Sequence, residues 1–219
     1  MICPGGDLGF VTRIVKESLV LRDKVTWYSS MLGKLSSAKA VVELLKSHSI
    51  TNWAVGVLEP GTKTGTKRWI VAWSFGDLRP RSSIARPPGS SFPHDLLPFP
   101  TSYTISLPAS FSGGAAGEKL NDQLAALDLG WEWNSTTSSG VGEASDNVWG
   151  RAYRRAYERR KKEGLVDMRD DAVVKKTKLA FRATVVQLAS EITLEWLRGE
   201  DQVMWESFCG CVHRWFKQT

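Results

Sequence analysis

Three short stretches dense in β-branched and aromatic residues, at 25–31, 52–58 and 67–75, constrain the first part of this chain more than anything else in it. In the last of them Trp69, Val71, Trp73 and Phe75 alternate with other residues, which predicts a strand with one buried face. Ahead of the first, Phe10, Val11, Ile14, Val15, Leu19 and Leu21 recur at close to helical spacing, after Gly5-Gly6-Asp7. Asp7 suits the start of that helix, as a cap or as a charge on its dipole. Val41, Val42, Leu44 and Leu45 predict a second helix from Ser36 or Ser37 to near Ser47. Helix, strand, helix, strand, strand is a fragment of an α/β sheet. The short link between the last two strands makes them an antiparallel hairpin.

The rest of the chain reads differently. Residues 79–100 are crowded with Pro, Ser and Arg and show no period, so they read as a linker. From 101 to 219 the pattern is that of a compact α+β module. Strands are expected near 103–107, 178–188 and 192–196, and Trp131-Glu132-Trp133 forms a short strand or turn. A short helix is expected at 117–129, and the Ser/Thr/Gly-rich residues 134–146 are expected to be mobile. Asn147 is placed to cap a basic helix running to about Lys162, with Tyr153 and Tyr157 turned inward. A last helix, capped by Asp201, carries the apolar stripe Met204, Phe208, Cys211 and Trp215.

Charge separates the two parts. The 219 residues carry a net charge of +6, and between residues 149 and 182 twelve Lys or Arg face five Asp or Glu. That local excess suits a polyanion, although a solvated helix face has the same composition. No run of about 18 apolar residues occurs, so no membrane partner is expected. Three cysteines give no disulfide framework and favour a reducing compartment, with nucleus and/or cytoplasm as the expected location. Cys209-x-Cys211-x-His213 invites a metal reading, but on a helix residues two apart point about 200° from each other and share no ion. His48 and His94 have no partners that make a catalytic triad.

Several of these residues also carry a resemblance. Gly5-Gly6-Asp7, Phe10, Ser18, Trp27-Tyr28-Ser29, Leu32-Gly33-Lys34, Arg68-Trp69 and Ala72-Trp73-Ser74-Phe75 fall in the order and at about the spacing of one family. The first 78 residues resemble the last third of the methyltransferase-like-sixteen domain. That family comprises U6 small nuclear RNA adenine-N6 methyltransferases and bacterial ribosomal RNA adenine-N6 methyltransferases. The expected fold is α/β plus α+β: the C-terminal part of a Rossmann-like methyltransferase sheet, closed by an antiparallel hairpin and followed by the smaller module. Residues 181–216 resemble, more loosely, the RNA-binding C-terminal extension of the family's eukaryotic members. Asp7 departs from the family's usual Glu, and residues 61–65 make a longer loop than the usual turn.

The resemblance implies S-adenosylmethionine as cofactor for the full-length family. The family's Asn-Pro-Pro-Phe motif, its Gly-rich donor loop and the acid that holds the donor ribose find no match in these residues. The chain alone is therefore expected to bind no donor, no catalytic residue is assigned, and the sequence reads as the C-terminal portion of a longer enzyme. Lys34, Lys63, Lys67 and Arg68 are the candidates for gripping RNA in the first part. Trp27 and Trp73 are weighed as base-stacking residues, with core packing the commoner use of Trp at such positions. Arg151, Arg154, Arg155, Arg159, Arg160, Lys161 and Lys162 are the candidates in the second, with structured RNA as partner. A non-catalytic RNA-binding protein and a small-amine methyltransferase of the same family are the alternatives.

Overall fold

The computed structural model describes residues 3–59, 66–89, 92–108, 111, 113–162 and 176–217. They form two compact units, Met1–Thr101 and Ser102–Thr219.

In the first unit, α1 (Gly6–Leu21) is followed by β1 (Tyr28–Leu32), α2 (Leu35–Ser47), β2 (Asn52–Leu58) and β3 (Arg68–Ser74). Two consecutive glycines in the left-handed region, Gly5 at φ 80° and Gly6 at φ 63°, turn the chain into α1. The helix N-cap is Gly5 and no side chain caps it, so Asp7 is not the capping residue. The strand expected at 25–31 starts three residues later, because Arg22–Lys24 forms a short 3₁₀ turn first. β3 lies between β1 and β2 and is antiparallel to both. β1 and β2 thus run in the same direction, joined by the crossover helix α2, and the returning strand fills the gap between them. The hairpin is as expected, and its insertion between two parallel strands is what the sequence alone did not specify.

Register puts Tyr28, Trp73 and Trp53 in one row, and Leu32 and Trp69 in another. These side chains, with Val55 and Val71, are buried on one sheet face together with Val11 and Val15 of α1 and Val41, Val42 and Leu45 of α2. Trp73 is completely buried; its Nε1 donates to Ser18 Oγ at 2.9 Å, and Ser18 Oγ donates to the Val15 carbonyl at 2.7 Å. It is therefore core and offers no face to a base. Trp27 is half-buried.

Residues 79–89 and 92–100 are built onto this unit instead of hanging as a tether. A short helix α3 (Ser82–Ala85) lies within them, and Phe92 and Leu96 enter the core. Phe92 meets Trp69 edge-on at 5.0 Å, and Trp53 Nε1 donates to the Leu96 carbonyl at 3.2 Å. Lys46 Nζ donates to the carbonyl of Asp95. Composition reads this stretch as a linker because it has no period; isolated apolar residues between prolines nonetheless found a core to fill.

The second unit is a five-stranded antiparallel sheet in the order β4-β8-β7-β6-β5. The strands are β4 (Ser102–Ser106), β5 (Gly130–Asn134), β6 (Ser139–Ala144), β7 (Leu179–Val186) and β8 (Glu191–Arg198). Ile105, Phe181, Ala183, Val185, Ile192, Leu194 and Trp196 are buried. They share the core with Ala116, Leu120 and Leu124 of α4 (Gly113–Ala125) and with Met204, Trp205, Phe208 and Val212 of α6 (Gln202–Phe216). Asp201 caps α6 as expected, accepting from the Met204 N–H at 3.0 Å. Trp215, placed in the α6 stripe by sequence, is half-buried, and Phe216 takes the core position.

The Ser/Thr/Gly-rich segment expected to be mobile is largely β6, hairpinned to β5. Its glycines explain this. A Cβ on Gly142 would stand 2.3 Å from the Phe181 ring, and one on Gly140 2.5 Å from the Trp131 ring. The bare backbone is what lets those two rings lie flat across the strand, stacked on each other at 6.0 Å.

Candidate nucleic-acid interface

In the first unit the strand registers decide where the candidate cations stand. Leu32 opposes Trp69, and Leu58 opposes Arg68. Lys34, just past the end of β1, therefore lies at the same end of the sheet as Lys67 and Arg68, at the start of β3. All three are exposed. Lys67 is paired with Glu59 at 2.7 Å, so it is less available to a phosphate than its sequence position suggests. Arg68 Nη1 donates to the Lys67 carbonyl at 3.3 Å. Lys63 lies outside the described residues.

Asp7 organises this end of the sheet. Its Oδ2 accepts the Gly33 N–H at 2.8 Å, and its Oδ1 accepts the Ser37 hydroxyl at 3.0 Å and the Leu8 N–H at 2.7 Å. The Gly33 N–H, with further help from Ser37, Leu8 and the charge of Lys34, holds the carboxyl below its ordinary value. The turn Leu32-Gly33-Lys34 is thereby tied to the start of α1. Sequence reasoning gave Asp7 a local role; the residues it joins are 26 and 30 positions away, and no pattern announces such a bond.

That saturation also bears on the methyl donor. A donor's ribose hydroxyls need an acidic side chain at the carboxyl ends of the strands. Of the acids described at this end, Asp7 is engaged by three donors and Glu59 by Lys67. No step of methyl transfer is derived through S-adenosylmethionine.

In the second unit the basic helix is real: α5 spans Arg151–Lys162. Its start is anchored by Trp149, whose Nε1 donates to Ser207 Oγ at 3.1 Å and whose ring meets Phe208 at 5.0 Å. Asn147 is not its cap. Its carbonyl accepts the Gly150 N–H, while its buried Oδ1 takes no hydrogen bond among the described residues. Arg151, Arg154, Arg155, Arg159, Arg160 and Lys162 are exposed, and the side chain of Lys161 is outside the described set. The cations thus stand on a helix fixed at one end.

Tyr153 and Tyr157, expected to be turned inward, are half-buried and stack on each other at 6.4 Å and 14°. The Tyr153 hydroxyl donates to Asp128. Burial and this carboxylate push the phenol up to about 12. Cys209 and Cys211 are buried in α6, and burial raises both thiols, that of Cys209 to about 12. His213 Nδ1 is paired with the Tyr103 hydroxyl at 2.7 Å. Among the described residues no three His, Cys, Asp or Glu side chains converge on a point suited to a metal ion. Nor is any helix among them long and apolar enough to cross a membrane.

Residues 1–77 match a family model described as RNA methyltransferase. The U6 small nuclear RNA (adenine-(43)-N(6))-methyltransferase of Schizosaccharomyces pombe is 28% identical over 218 residues, 98% of this chain and 51% of that protein. The RNA N(6)-adenosine-methyltransferase mettl16 of Xenopus laevis is 39% identical over 75 residues, 34% of this chain and 13% of that protein. A crystal structure of the hMettl16 catalytic domain in complex with MAT2A 3′UTR hairpin 1 is similar at 37% identity and a TM-score of 0.32. It covers 34% of this chain and 25% of that one. The chain thus spans about half the length of the fission-yeast relative, and much less of the frog one.

Proposed function

We propose, from the premise that residues 1–77 are a stretch of the RNA methyltransferase family, that this chain is the C-terminal portion of an RNA adenine-N6 methyltransferase of the U6 small nuclear RNA type. Its contribution is RNA binding. The observation that carries the reading is the extent of similarity to the fission-yeast enzyme: it runs through 98% of the chain, the second unit included. A methyltransferase for a small amine has no use for a second unit with a basic helix. The nucleus and/or cytoplasm is the compartment that goes with this reading.

The basic helix supplies the physical content. Exposed Arg side chains on one short rod displace counterions from phosphates, so affinity falls steeply with salt. Replacing Arg154, Arg155, Arg159 and Arg160 together by Glu weakens binding of a structured hairpin RNA and flattens its salt dependence. The thermal midpoint moves little, since all four side chains are exposed. Electrophoretic mobility shifts at several salt concentrations measure this. Unchanged affinity after the reversal removes the RNA assignment of α5. Isothermal titration of the 219-residue chain with S-adenosylmethionine is expected to give no heat of binding; micromolar binding contradicts the reading of the donor site.

A further inference from the structure

We infer that the cleft between α5 and the turn after α4 is a pocket for one unpaired purine base of a bound RNA. The inference rests on the RNA-binding reading of the second unit and adds to it what that unit recognises.

The cleft, of about 480 Å³, is lined by Ala125, Ala126, Leu127 and Val148, by Tyr153 and Tyr157, and by Asp128, Arg154 and Glu158. Each group has a counterpart in a nucleotide. Leu127 and the alanines make an apolar floor, and the two tyrosines supply an aromatic wall at one side. The wall is held rigid: the rings stack on each other, and the Tyr153 hydroxyl is tied to Asp128 across the cleft. A rigid aromatic surface loses little entropy when a base stacks on it. Asp128 and Glu158 are acceptors only, which suits the N–H groups on a purine edge and repels a phosphate. Arg154 lines the cleft, and Arg160, seven positions on from Tyr153, stands on the same side of the helix, where a backbone leaving the pocket would pass. A fully paired duplex hides its bases and cannot fill such a cleft, whereas a bulged or loop nucleotide can turn out of its stack to do so.

The test compares three hairpin RNAs of one stem sequence against the 219-residue chain. One carries a single bulged adenine, one carries an abasic residue at that bulge, and one is fully paired. The adenine bulge is expected to bind on the order of tenfold tighter than the abasic bulge, whose charge and bend are the same. Tyr157→Leu, which keeps the apolar contact but removes the ring, abolishes that difference and leaves affinity for the paired hairpin unchanged. Tyr157→Phe retains the difference. Equal binding of adenine and abasic bulges, or a Tyr157→Leu chain that still discriminates, overturns the pocket while the RNA-binding reading stands. Failure of the unmodified chain to bind any of the three hairpins overturns the RNA-binding reading and the pocket with it.

Discussion

At the scale of single residues, the positions that organise the first unit are those whose partners are distant in sequence. Asp7 is the clearest. Replacing it by Ala removes three accepted hydrogen bonds and frees the Gly33–Lys34 turn. The expected loss is on the order of 1 kcal/mol, because the site is exposed and water replaces part of what is removed. Chemical denaturation of the two chains measures it. The pH dependence has a definite sign. Asp7's carboxyl is held below its ordinary value of 3.8, so its stabilisation is present above that value and fades as pH falls through the lower folded one. The difference between wild type and Asp7→Ala therefore narrows in acid. Such a role was invisible in the sequence, where Asp7 reads only as a helix-start acid. Trp73 illustrates the converse: alternation with Trp69 and Val71 announced a buried strand face, and burial settles it as core.

At the scale of elements, the period of the sequence located nearly every helix and strand and failed where small residues carry the pattern. β6 is the instructive case. Gly140 and Gly142 gave it no apolar period, yet their missing side chains admit the rings of Trp131 and Phe181, an arrangement visible only from the paired strands. The helix α5 was legible from its charges, and its two tyrosines do face the unit, half-buried in a cleft and not packed into the core. The bond from Tyr153 to Asp128 makes the seating of α5 sensitive to alkali. The phenol, ordinarily at 10.0, is raised to about 12 in the folded chain, so its contribution is complete below about pH 10 and is lost as pH rises toward 12. Ultraviolet titration of tyrosinate is expected to show a late-ionising component that Tyr153→Phe removes.

At the scale of the whole molecule, the chain divides into two units, each with its own sheet. The second buries Ile105, Phe181, Ala183, Ile192, Leu194 and Trp196 in its core with α4 and α6, and its other face carries Arg182 paired to Glu195 at 3.3 Å. Ser102–Thr219 expressed alone is expected to melt cooperatively and to retain the salt-dependent RNA binding. In the first unit, β1 is an edge strand among the described residues, and Met31 on it is 55% exposed. Met1–Thr101 expressed alone is expected to associate through that edge. Light scattering that shows a monodisperse monomer at high concentration is the contrary result. Resemblance and strand pattern made the hairpin legible, but the burial of Phe92 and Leu96 was not, because their neighbours in sequence are prolines and polar residues.

The insertion of β3 between β1 and β2 has a consequence for the chain as it is made. Among the described residues neither outer strand pairs with the other; each pairs with β3, which is synthesised after both. Among the described strands, a nascent chain that has extruded β1, α2 and β2 therefore has no pairing between the two until Arg68–Ser74 leaves the ribosome. Deletion of Arg68–Ser74 alone would remove one strand by count and the pairing of the whole first sheet in effect, and with it the surface that α1 and α2 are folded against.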